Sequence, residues 1–136
     1  MVEPVEEPAS RVLEIGLQVL GTVVALALAG LVAIYGAFLT PYRVGTSLVP
    51  ISLVIAAGGN IGVIWFAYVT TRNRYLAMLP ALVWLILSFL ASSRTSDGDL
   101  ILISTNWVAT VYLLVGPAAI AFCGYRLFLR PRLPVR

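Results

Sequence analysis

Four long apolar runs, separated by short polar breaks, constrain this chain more than any other feature. They cover about residues 12–39, 48–70, 75–92 and 100–127. A helix needs roughly 20 residues to cross about 30 Å of hydrocarbon. Backbone polar groups in lipid must be satisfied within the segment, so runs of this length are expected to be helices. The first and last exceed the minimum and are expected to tilt or project from the bilayer. The third is short and has Pro80 near its start, where a helix tolerates proline.

Composition agrees. The 136 residues are 60% hydrophobic and 11% charged, with a mean hydropathy of +0.98. Soluble domains carry about a quarter charged residues. A water-soluble fold of this size could not hide so much apolar surface. The predicted fold class is therefore all-α, a membrane-embedded four-helix bundle with short loops. Residues 1–11 form an acidic N-terminal segment, residues 12–127 the four-helix domain and residues 128–136 a basic tail. The first run is expected to be retained, because Glu3, Glu6 and Glu7 stand where a cleaved signal would be basic. Ser10 is the expected N-cap of the first helix.

All nine basic residues are Arg. With four spans, Arg11, Arg72, Arg74, Arg126, Arg130, Arg132 and Arg136 share one side, against Arg43 and Arg94 on the other. By the positive-inside rule this seven-to-two excess puts both termini in the cytoplasm, with the chain in the cell membrane. The tail, "RLFLRPRLPVR", is read as a topology anchor, with attraction to anionic lipid as the alternative. The arginines are scattered at the ends of apolar runs, so no nucleic-acid partner is expected.

The linker "LSFLASSRTSDGDLILIS" holds Arg94, Asp97 and Asp99. Arg94 complements the dipole at the end of the third helix, "DG" is turn chemistry, and Asp99 is the expected N-cap of the fourth helix. A Ca²⁺ site would need about six oxygen ligands. The loop is read as an outer turn, not as a metal site.

Helix packing has a sequence signature. Gly21, Ala25, Ala29, Ala33 and Ala37 recur at an unbroken spacing of four, and Gly58 and Gly62 repeat that spacing in the second run. Association in lipid depends on close packing, and small residues let backbones approach. These faces are expected to pack within one chain. Pro117 should kink the fourth helix.

Few residues inside the spans could carry chemistry. Asn60 lies mid-span, Asn106 near the outer end of the fourth run, and Glu14 and Gln18 one turn apart in the first. Intramembrane polar groups often mark pathways, but they also serve as interhelical hydrogen-bonding groups. Asn60 fits either role. Glu14 lies three residues from Arg11 and four from Gln18, which favours an interfacial ion pair or hydrogen bond over a proton-coupling carboxylate. Cys123 is alone and reads as a small residue within an apolar run. With no His and one Cys, no catalytic, cofactor-binding or metal site is predicted, and no enzyme activity is expected.

The second half of the chain, through Arg94, Gly98, Asp99, Tyr112, Leu113, Leu114 and Gly116, resembles an actinobacterial family of small four-span integral membrane proteins of unknown function. The chain differs in placing Pro117 after that glycine. The resemblance implies a four-span fold and an outer Arg/Asp turn, and it implies no activity. The expected role is that of a non-enzymatic accessory or scaffold subunit, packed in membrane lipid beside another membrane protein or itself. The alternative is a small homo-oligomeric transporter or lipid flippase using Glu14 and Asn60.

Overall fold

A computed structural model describes residues 8–93 and 106–130 of the chain. They form four helices: α1 (Pro8–Phe38), α2 (Ile51–Thr71), α3 (Arg74–Ser92) and α4 (Trp107–Phe128). All four are long and apolar enough to cross a membrane. The large apolar residues left outside the core, such as Val54, Phe89 and Leu114, have lipid as their natural solvent. This is a multi-pass membrane protein.

Two compact connections fix the order of the first three helices. Between α1 and α2, β1 (Arg43–Val44) pairs antiparallel with β2 (Ser47–Leu48). Gly45 has φ +63°, the conformation that a two-residue hairpin demands of its first loop residue. The Val49 N–H donates to the Tyr42 carbonyl at 3.0 Å, extending the ladder. Between α2 and α3 the chain turns in two residues. Arg72 adopts a left-handed conformation and its N–H donates to the Tyr68 carbonyl. Asn73 then caps α3, its side-chain oxygen accepting from the N–H groups of Tyr75 and Leu76. Replacing Asn73 with Ala should lower stability by about 1 kcal/mol. Thermal unfolding in detergent would read this, and Asn73→Asp should retain most of the cap.

Long-range contacts within the chain set the direction of α4. Its cap, Asn106, donates to the Thr40 carbonyl at the end of α1. At its far end the Phe128 ring meets Tyr75 at the start of α3, with centroids 5.5 Å apart. One end of the bundle therefore carries the start of α1 and the finish of α4. We refer to it as the terminal end, and to the other as the hairpin end.

Two helix starts differ from the sequence expectation. Ser10 lies inside α1, which already includes Pro8, and so does not cap it. The fourth helix begins at Trp107, not near residue 100. Its cap is Asn106, whose side chain accepts from the Val108 N–H at 3.0 Å while donating to Thr40 at 3.0 Å. One amide thus caps α4 and ties it to α1. Arg94, Asp97 and Asp99 lie outside the described residues, as do the segments 1–7 and 131–136.

The core is built from small residues and two aromatic rings. One cluster gathers Ala25, Ala29, Val63, Ala67 and Ala77 toward the terminal end. Another gathers Ala33, Ala37, Ala56, Trp84, Ala109 and Tyr112 toward the hairpin end and extends to Ile120 and Cys123. The Trp84 and Tyr112 rings pack with centroids 5.3 Å apart, a tilted pair within the favourable range.

Candidate functional site

The small-residue ladder of α1 faces inward. Gly21, Ala25, Ala29, Ala33 and Ala37 are all buried, joined by Gly36. A Cβ placed at Gly21 would lie 2.8 Å from the Thr70 Cβ, so α1 and α2 approach there almost backbone to side-chain root. Gly36 leaves space for the Tyr112 ring, and Gly59 leaves space for Val32. Gly116 is filled by Trp84: a Cβ there would overlap the far edge of the indole. These close approaches supply the dispersion contacts on which helix association in lipid depends.

Gly58 and Gly62 behave differently. Both are exposed, and a Cβ at either would meet nothing within 4 Å. The expectation that this pair packs within the chain is therefore corrected: the neighbouring Gly59 makes the contact with α1. The difference is one of helical phase. The buried face of α2 runs through Ser52, Ala56, Asn60, Val63, Ile64, Ala67 and Thr71. Positions 58 and 62 fall opposite it at 100° per residue. They lie on an outward stripe with Val54, 73% exposed, and Trp65, 67% exposed. The glycines form a shallow depression bounded by a branched and an aromatic side chain.

The polar candidates separate in the same way. Asn60 is buried, and its side-chain amide donates to the Ala56 carbonyl at 2.8 Å within its own helix. Glu14 is exposed on α1, and Gln18 is partly exposed beside it. Neither belongs to the buried core. The buried polar residues among those described are Thr40, Ser52, Asn60, Thr71 and Ser88, with no Asp, Glu or Arg in the set.

Near the hairpin end the core holds a polar group of residues not anticipated as a unit. The Tyr112 hydroxyl donates to the Ala33 carbonyl at 3.2 Å. Ser88 and Trp84 also face that hydroxyl, but without hydrogen-bond geometry, and Ser52 Oγ, Trp84 Nε1 and Ser88 Oγ have no hydrogen-bond partner. Other hydroxyls in these helices, those of Thr22, Thr70, Thr71 and Ser92, donate back to a carbonyl four residues earlier. Ser88 and Trp84 line a groove of about 490 Å³ between α3 and α4, with Leu85, Phe89, Ser92, Leu113 and Pro117. Pro117 lacks the N–H that would bond the Leu113 carbonyl. The sequence contained a partial signal for this grouping in Gly116 beside Pro117, but the Trp84 that fills the space is 32 positions away.

Among the described residues, no three His, Cys, Asp or Glu side chains gather as a metal site would require. Among the described residues no two carboxylates face each other, Glu14 being the one acidic side chain there. The chemically usable features are surfaces: the outward glycine face of α2, the groove between α3 and α4, and a second groove between α2 and α4 near the terminal end. Comparison with known proteins finds no matching family model, no matching curated protein and no matching solved structure.

Proposed function

We propose that this protein is a non-enzymatic accessory or scaffold subunit of a larger membrane complex. In this reading it sits in the cell membrane with both termini in the cytoplasm and docks through the outward face of α2. The observation that carries the reading is the position of Gly58 and Gly62. A glycine pair facing lipid gives up side-chain contact and adds nothing to the fold. Against another transmembrane helix it permits close backbone approach, with Val54 and Trp65 flanking the contact. The inward ladder of α1 already satisfies the packing needs of the bundle, so the outward pair remains for a partner. The transport alternative has less support, because Glu14 stands outside the packed interior and the Asn60 amide is engaged by its own helix.

The test is gentle extraction of tagged protein from its native membrane, followed by identification of everything bound in stoichiometric amount. Gly58→Leu combined with Gly62→Leu should reduce recovery of the partner by more than about tenfold, equivalent to 1.4 kcal/mol of lost association. The unfolding midpoint should not fall, since a Cβ at either position meets nothing within 4 Å and Leu favours the helix over Gly. Recovery of a stable monomer with no partner would overturn the reading. Recovery of a homo-oligomer alone would transfer it to self-association and reopen transport.

A further inference from the structure

We infer that the groove between α2 and α4 at the terminal end is a binding site for one anionic phospholipid, its phosphate held by Arg126. The groove encloses about 160 Å³ and is lined by Ile61, Ile64, Trp65, Tyr68, Phe122, Cys123, Arg126 and Leu127. Its chemistry is graded along the membrane normal. Ile61 and Ile64 form its deeper wall on α2. Trp65 and Tyr68 follow toward the end of that helix at Thr71, where amphipathic rings suit the headgroup level. On α4 the sequence of lining is Phe122, Cys123 and then Arg126, two residues before the helix ends at Phe128. The long axis thus runs from aliphatic through aromatic to cationic, the order in which a phospholipid presents acyl chain, glycerol and phosphate.

Two further facts favour an anion at the mouth. The Arg126 Cζ lies 5.7 Å from the Phe122 ring centroid, so the guanidinium is held along the groove wall by cation–π attraction. The groove lining contains no carboxylate to neutralise it. Arg11, Arg72, Arg74 and Arg130 share this end of the bundle, against Glu14 among the described residues. Basic pockets between transmembrane helices are a recurring form of headgroup recognition. The groove between α3 and α4 lacks this polarity, having no charged residue in its lining.

The experiment adds equal amounts of phosphatidylglycerol and phosphatidylcholine to the detergent-solubilised protein and measures the intact mass of what stays bound. The native chain should retain phosphatidylglycerol about fivefold over phosphatidylcholine, the ratio for the ~1 kcal/mol attraction of one Arg near a membrane surface. Arg126→Gln should remove that preference, Ile61→Trp should reduce binding of both lipids by filling the wall, and Arg130→Gln should leave the preference intact. An unchanged preference in Arg126→Gln, or an equal loss in Arg130→Gln, would overturn the site in favour of diffuse surface charge. A second measurement needs no variant. Modification of Cys123 by N-ethylmaleimide should slow severalfold with phosphatidylglycerol and not with inorganic phosphate or phosphatidylcholine. Equal slowing by both lipids would overturn headgroup recognition, and slowing by inorganic phosphate alone would identify an anion site that does not use the acyl groove.

Discussion

Gly116→Ala should lower the stability of the bundle by about 3 kcal/mol, the upper part of the range for overpacking a well-filled core. A single methyl has this effect because of what lies opposite. Trp84 is fully buried, and its indole edge occupies the space where the new Cβ would stand. The ring is held on another side by Tyr112, whose hydroxyl donates to the Ala33 carbonyl, and it borders the groove between α3 and α4. Relief therefore requires the indole to leave its buried seat or α3 to separate from α4. Unfolding of the purified protein in detergent, followed by tryptophan fluorescence, would measure the change. Gly62→Ala is the matched control and should fall within about 0.5 kcal/mol of the native chain, as surface changes usually do. Combining Gly116→Ala with Trp84→Phe should recover part of the loss, because the smaller ring vacates the contested volume. If Gly116→Ala behaved like Gly62→Ala, the seating of Trp84 against Gly116 would be wrong.

Ala25→Leu is the second large effect expected, also near 3 kcal/mol of destabilisation. Ala25 is fully buried in the cluster with Ala29, Val63, Ala67 and Ala77. Three of those four neighbours are themselves Ala, so the helices approach closely there, and only the partly buried side chains around the cluster, such as Phe66 and Leu127, could yield. Leu is an excellent helix former and fully compatible with lipid, so neither propensity nor hydrophobicity accounts for the loss. Its origin is the forced separation of helices held together by short-range dispersion. Val24→Leu, one position away and 39% exposed, should be nearly neutral. Equal tolerance at both positions in a thermal unfolding series would show that the ladder serves something other than internal packing.

These two cases also show how far the sequence could be read. The α1 ladder was legible because a spacing of four against a helical repeat of 3.6 keeps small residues on one slowly turning face. Its burial followed once four helices needed a place to meet. The same spacing at Gly58 and Gly62 pointed to the wrong surface within the chain, because a motif of two glycines carries no information about which side of a helix faces its neighbours. Gly59, one residue along, makes the contact instead. Asn106 was likewise seen as a polar residue within a span. Its double role emerges only in the fold, where its side-chain oxygen accepts from the Val108 N–H and its amide donates to the Thr40 carbonyl at 3.0 Å. The grouping of Trp84, Ser88 and Tyr112 spans two helices, and no local pattern joins them.

By itself the sequence determined the solvent, the secondary structure and the approximate spans. Each follows from a local quantity: runs of apolar residues, the need to satisfy every backbone group in lipid, and Arg placement at the ends of runs. Tertiary structure alone decided which glycines are filled by a neighbour and which face outward, and that Trp84 sits against Gly116. It also decided that Arg126 borders an apolar groove. Those outcomes depend on the relative rotation of whole helices. In lipid that rotation is set by the sum of many weak contacts across the bundle, none of which is written in the order of residues along a single helix.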